Sequence, residues 1–460
     1  MRSSKLPVVI VGGGPVGLAA AAHVRSRELT PQVFEAGASA GAGIRRWGHV
    51  RMFSPWKYNV DRAAVAILER DGWVMPEGET YPTGDELADH YLEPLAGTRD
   101  LAPFITFNSR VVAVARQDHD LMKDAGRDTA PYLVRVAGPE GEHDVLAQAV
   151  IDASGTIETP GALGASGLPA IGERATGDRI FYGIPHVLGT HRARYEGRRV
   201  LVVGSGHSAL NALLDLAALA AANANTHVVW AIRRPALGQL LGAAGNDRLE
   251  ERGKLGSRVR ALLEAGRLEL VTGFHVDRIT RTPDGLVVAS AGPRRLRAVD
   301  EIIAATGFRP DWSMLSEVRL DLDPAVQSPR ALAPLIDPNI HSCGTVRPHG
   351  AEELQQPDGN LFIIGMKSYG RAPTFLMLTG YEQARSVVAA IAGDWEAARR
   401  VELVLPETGV CSRGSRSWPH PLYPSAAPES GCRSDHRNLT HISHAGEVRR
   451  GSRAVSNHNM

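Results

Sequence analysis

Two runs of β-formers that end in closely spaced glycines, with a block of period-two alternation between them, predict an α/β protein. The expected architecture is two Rossmann-like, three-layer dinucleotide-binding domains with an antiparallel β insert. The glycine-ended runs lie about 190 residues apart, and each leads into an Ala- and Leu-rich helical stretch.

The first begins at Val8-Val9-Ile10-Val11 and continues Gly12-Gly13-Gly14-Pro15-Val16-Gly17, the spacing G-x-G-x-x-G. Gly12 permits the tight turn out of the strand, Gly14 lets backbone approach a pyrophosphate, and Gly17 lets helix and strand pack closely. The helix that starts there presents free N–H groups and its positive dipole end to phosphate. Ala21 keeps its next turn thin. A second strand, Gln32 to Glu35, ends in a carboxylate 23 residues after Gly12, the position for accepting both ribose hydroxyls of an adenosine.

Downstream, Gly37 to Gly43 leads into Ile44 to Trp56, dense in planar and cationic side chains, either a ligand-facing loop or an irregular surface loop with aromatic anchors. Asp61 is placed to cap a helix through Arg70, and Thr83 with Glu86 to form a capping box. Leu87, Tyr91 and Leu95 share a face of that second helix, which Pro94 is expected to end or kink. Residues 104–151 read as antiparallel strands around Val111 to Val114, Tyr132 to Val136 and Val145 to Ile151. Ile151 to Thr156 is a strand running into a small-residue turn, and a Gly/Pro-rich linker to about residue 178 is the first crossing between domains.

The second fingerprint, Val200 to Val203 followed by Gly204, Gly206 and Ala209, repeats the pattern with Ala for the third glycine. Its next strand, His227 to Ile232, ends in Arg233-Arg234 where the first has an acid. Two guanidinium groups there would clamp the 2′-phosphate of NADPH, or they are solvent-exposed arginines after a strand. Strand pattern over 268–304 ends in Ala305-Thr306-Gly307, the crossing back. Asn360 to Gly365 is one more buried strand, and a helix from about Phe375 to Ala392 follows. From Pro406 onward periodicity is lost, and the composition predicts a disordered tail.

At 460 residues the prior is about three domains. Apolar content of 43% and charged content of 22% are those of a globular protein. A net charge of +1 argues against nucleic acid or an acidic membrane as partner. Three cysteines without a C-x-x-C pair exclude a disulfide scaffold and give no zinc pattern. The apolar start is broken by three glycines and is not read as a signal peptide. No apolar stretch reaches the 18 residues of a spanning helix, so a cytoplasmic location is expected.

Gly12, Gly14 and Gly17 with Glu35, Gly204 and Gly206 with Ala209, and Ala305-Thr306-Gly307 together resemble the two-dinucleotide-binding flavoproteins. More narrowly, residues 7–395 are similar to the class B flavin monooxygenases. That group has a signature F-x-G-x-x-x-H before its second fingerprint; here Phe181-x-Gly183-x-x-His186 is one residue short. The superfamily's Gly-Asp near the C-terminal strand is Gly365-Met366, so one ribityl contact must come from elsewhere. The resemblance implies FAD and NADPH as cofactors. It also implies an FAD-binding domain in two parts (1–160 and 305–400) and an NADPH-binding domain (178–304), outside which lies the tail read from composition (406–460).

It further implies that Trp47 lies in a loop beneath the flavin, and that the helix after Phe375 points at the flavin C2 carbonyl, where its dipole would stabilise the reduced anion. The implied reaction passes hydride from NADPH to flavin, activates O2 at flavin C4a and transfers one oxygen atom to a small nucleophilic substrate. No catalytic acid or base is assigned; His186 and Asn59 read first as structural. A weaker resemblance joins Ser54 to Asn59 and Lys367 to Arg371 to flavoproteins associated with arsenic resistance, which would make Cys343 and Cys411 candidate thiol ligands of trivalent arsenic. The rival readings are an electron-transfer reductase of the ferredoxin-reductase type and a redox-inactive flavin- or nucleotide-binding sensor. A thioredoxin-reductase chemistry lacks its cysteine pair.

Overall fold

The computed structural model describes residues 6–237, 241, 250–340, 346–372 and 375–403. From the N-terminus, β1 (Val8–Val11) leads into α1 (Pro15–Ser26) and β2 (Pro31–Phe34). After α2 (Arg62–Arg70) come β3 (Ile105–Thr106), β4 (Arg110–Arg116), β5 (Tyr132–Gly138), β6 (Gly141–Ala147) and β7 (Ala149–Asp152). Next are β8 (Ile180–Tyr182), β9 (Arg199–Val203), α3 (His207–Ala222), β10 (His227–Ala231) and α4 (Glu250–Glu264). The strands β11 (Glu269–Val271), β12 (Val276–Thr282), β13 (Gly285–Ser290) and β14 (Glu301–Ala304) follow. β15 (Leu361–Ile363) and α5 (Met377–Ile391) come last.

Two parallel five-stranded sheets organise the chain, ordered β15-β7-β1-β2-β3 and β11-β10-β9-β14-β8. Strands buried on both faces read as continuous apolar runs, which is why β1 and β9 are nearly all Val, Ile and Leu. Alternate residues of β9 divide between two cores. Val200 and Val202 pack with Leu210, Leu213 and Leu216 of α3 and Val259 of α4. Leu201 and Val203 pack with Ile279, Leu286 and Val288 of the β12–β13 ribbon.

The first sheet repeats the arrangement, with Val9, Val11 and Val150 against Val114, Tyr132 and Val134 of the β4–β5–β6 ribbon. α1 lies against β1 and β2 and packs on α5 and α2. Each unit is thus antiparallel ribbon, parallel sheet and helices: the expected α/β class, with three layers in each half.

Three local expectations need correction. Ile105–Thr106 and Ala149–Asp152 belong to the parallel sheet, not the antiparallel block. The apolar run Val145 to Ile151 breaks at Gln148, whose N–H turns to the carbonyl of Pro7 at 3.0 Å and starts the pairing with β1. Pro94 does not end its helix, and of the two expected outcomes only a local distortion is found. Residues Ala88–Leu92 widen into a π turn and Glu93–Ala96 resume α geometry. Proline has no N–H for the carbonyl four residues back; the indole of Trp73 donates to that His90 carbonyl instead, at 2.7 Å. No helix among the described residues is long and apolar enough to cross a membrane.

Candidate functional site

The turn after β1 is built by steric necessity. Gly12 has φ +104°, and a Cβ there would meet the Ala153 carbonyl oxygen at 2.8 Å. A Cβ on Gly17 would lie 2.0 Å from the Gly12 oxygen, so helix and strand touch through bare backbone. At Gly14 a Cβ would meet nothing within 4 Å, leaving open space in front of the backbone. Gly14 caps α1 without a side chain, Pro15 occupies the first turn, and no acidic residue is there. By contrast Asp61 caps α2, its Oδ1 accepting from the Ala64 N–H at 3.0 Å. An uncapped N-terminus beside an open backbone suits an anion.

Glu35 follows β2, and its carboxylate reaches across this turn. Oε2 accepts from the Gly13 N–H at 2.5 Å and Oε1 from the Gly37 N–H at 2.7 Å. Two amides orient the group without exhausting its lone pairs, so it retains acceptors for hydroxyls. The half-buried Trp47 ring packs on Gly84, where a Cβ would come within 3.0 Å of it. Arg45 anchors the same loop through Asp89 and Glu93, both at 2.6 Å. Asn59 is buried and wholly engaged: its amide donates to the Ser54 and Pro55 carbonyls, and its oxygen accepts from the Ser54 hydroxyl.

Gly365 ends the C-terminal strand with φ +70°, and a Cβ there would lie 3.4 Å from Val16. Its N–H donates to Oε1 of Gln383 at 2.7 Å, and Gln383 is bonded in turn to His349 and Ser368. Beside it lies a pair the sequence reading missed: Lys367 and Asp152, both fully buried, meet at 2.6 Å. Asp152 also holds the Ser154 N–H and hydroxyl, and Lys367 lies 5.0 Å from the Trp312 ring centroid. The sequence signal was an acid and a lysine each following an apolar strand. Leu376 caps α5, also without a side-chain hydrogen bond.

The second turn repeats the first with one substitution. Gly204 has φ +136° and a Cβ there would clash with the Ala305 oxygen at 2.2 Å, whereas Gly206 faces open space. Gly206 caps α3 without a side chain. Ala209 is fully buried in the α3–α4 core, so this helix stands far enough off to admit a methyl. The Trp230 indole donates to the Gly204 carbonyl at 2.7 Å. Gly307, φ +89°, faces open space as well, and its carbonyl accepts from the Gly161 N–H at 2.7 Å.

Arg233 and Arg234 are exposed past the end of β10, and Arg233 donates to the Ala165 carbonyl at 3.1 Å. The two units meet where Phe53 lies 5.3 Å from His207 and His49 stacks on His186. Asp215 of α3 is desolvated, which pushes its carboxyl up to about 6 against the opposing pull of His186.

Two family models match this framework: an NAD(P)-binding Rossmann-like domain over residues 10–74 and pyridine nucleotide-disulphide oxidoreductase over 142–334. Among solved structures, the chain is similar to bacillithiol disulfide reductase from Bacillus cereus, at 20% identity and TM-score 0.62, covering 85% of this chain and 99% of that one. It has the two-dinucleotide-binding flavoprotein fold. The ornithine N-hydroxylase of Kutzneria shares that fold at 19% identity and TM-score 0.56, over 84% of this chain and 99% of the other. So does a flavin monooxygenase from Stenotrophomonas maltophilia, at 23% and 0.55, over 85% and 99%.

Gly14 and Gly206 thus combine open space with uncapped helix ends, while Gly307 faces open space just past β14. Cys343 and Cys411, the candidate arsenic ligands, lie outside the described residues, as does the expected tail. Among the described residues no group of three or more His, Cys, Asp or Glu side chains is placed to hold a metal ion.

Proposed function

We propose that this protein is an FAD-containing, NADPH-dependent monooxygenase that inserts one oxygen atom from O2 into a small nucleophilic substrate. The observation that carries the reading is the pair of backbone cradles, Gly12–Gly17 with Glu35 and Gly204–Ala209 with Arg233 and Arg234, in a chain with no C-x-x-C pair. Similarity to an ornithine N-hydroxylase and a flavin monooxygenase supports it. Bound flavin would supply the two-electron store and the carbon at which O2 reacts.

The chain's own work is to bind, orient and keep dry. Gly14 and the α1 N-terminus receive a pyrophosphate, and Glu35 takes the adenosine ribose. Gln383 fixes the Gly365 N–H where the superfamily's acid is replaced by Met366, and Trp47 closes the loop side. Exclusion of water would keep oxygen destined for the substrate from being lost as hydrogen peroxide. A reductase gains nothing from that shelter. Its likeness to bacillithiol disulfide reductase keeps one rival reading, NADPH-driven reduction of another redox partner.

The test is stopped-flow mixing of NADPH-reduced protein with oxygenated buffer. The expected result is a transient absorbing between oxidised and reduced flavin, whose decay is accelerated by an amine, sulfide, ketone or trivalent arsenical that gains one atom of labelled oxygen. Direct reoxidation without a transient, with rapid NADPH-driven reduction of an iron–sulfur protein or a disulfide, would assign a reductase.

A further inference from the structure

Three arginines from three separate elements converge where the linker between the units passes over the strand ends. A Cβ built on Gly167 would lie 3.0 Å from Nη2 of Arg309 and 3.8 Å from Nη2 of Arg371. Both backbones are pinned: the Arg309 N–H donates to the Thr159 carbonyl at 2.9 Å and the Arg371 N–H to the Val326 carbonyl at 2.7 Å. Arg233 reaches the same linker at Ala165. None of the three forms an ion pair among the described residues, while Arg45, Arg127, Arg194 and Arg385 each hold a carboxylate. Burial, then the charges of Arg371 and Arg233, hold the Arg309 pKa below the usual arginine value. Like charges gathered without a counter-charge are unfavourable unless something neutralises them.

We propose that Arg233, Arg309 and Arg371 form an oxyanion-binding site for a phosphate or carboxylate beside the linker at Ala165 and Gly167. Guanidinium groups present paired donors that match the planar edge of either group. The anion has two possible sources, a phosphate of the nicotinamide dinucleotide or the acid group of the substrate. Binding is read without turnover, so the outcome does not depend on whether the reaction is oxygenation or reduction.

The experiment is calorimetric titration of the flavin-loaded, full-length protein with inorganic phosphate, benzoate and 2′,5′-ADP, in wild type, R309Q and R371Q. Phosphate should bind the wild type, and each substitution should weaken it about ten- to a hundredfold, the effect of removing a charge-assisted hydrogen bond. Parallel weakening of 2′,5′-ADP identifies the nucleotide as the source. Unchanged 2′,5′-ADP with weakened phosphate and benzoate identifies an acidic substrate. Equal phosphate affinity in wild type and both variants, or no phosphate binding by the wild type, overturns the site. Should R309Q fail to fold, R371Q, at an exposed position, carries the same test, with R371K expected to restore part of the affinity.

Discussion

His49 lies face to face on His186, ring centroids 4.4 Å apart and planes 12° apart, so an imidazole stack joins the first unit's loop to the second unit. Burial, then the charge of His186, holds the His49 pKa below its ordinary 6.5, with Asp85 pulling the other way. His191 beside it is lowered by burial and then by Arg194. The folded protein therefore binds fewer protons here than the unfolded chain. This contribution to stability is fully present above about pH 6.5 and is lost as pH falls below that value. In H49Q the acid limb of Tm against pH should be shallower; a limb identical to wild type would contradict the assignment.

Lys367→Met leaves the Asp152 carboxylate buried without its cation. Removing one partner of a buried pair costs about 3–5 kcal/mol. Urea unfolding should show a loss of that size, and the double variant D152N/K367M should lose less. A single variant as stable as wild type would show that water replaces the lysine.

Gly14 and Gly17 should separate folding from binding. In Gly14→Val the new side chain meets no protein atom at its Cβ but occupies the pyrophosphate's approach, so the protein should fold and purify colourless. Gly17→Ala drives a methyl into the Gly12 carbonyl, and overpacking of this kind costs about 1–3 kcal/mol or more. Full flavin content in Gly14→Val would refute the placement.

Arg233→Ala and Arg234→Ala should each reduce the preference for NADPH over NADH. A charge-assisted bond contributes about 1.5–3 kcal/mol, or about ten- to a hundredfold in the ratio of kcat/KM values. Ratios unchanged in both variants would leave the 2′-phosphate to other groups.

The sheet strands were legible because a buried parallel strand is a run of β-formers, and glycines mark where β1 and β9 stop. Residues 145–151 misled because an apolar run looks alike whether it lies in a ribbon or crosses into a parallel sheet; the change of partner happens at a polar Gln148. The two-residue β3 is too short to leave a pattern. Glu35 stands out in the sequence by its spacing, but its grip on Gly13 and Gly37 depends on how the turn closes. Arg309 and Arg371 stand 62 positions apart in the chain, and nothing local to either signals the other. Convergence of side chains across a crossing is a property of topology.

The place of β15 has a consequence for synthesis. The first sheet is closed on one side by residues 361–363, after the whole second unit has been made. Until then β7, whose four residues are all buried in the finished protein, offers an open hydrophobic edge. A nascent chain therefore carries an incomplete N-terminal half while the inserted unit, continuous in sequence from β8 to β14, is being made. Such unpaired edges invite association with other chains. An N-terminal fragment ending near residue 160 should aggregate when expressed alone, and regain solubility when residues 346–403 are supplied in trans.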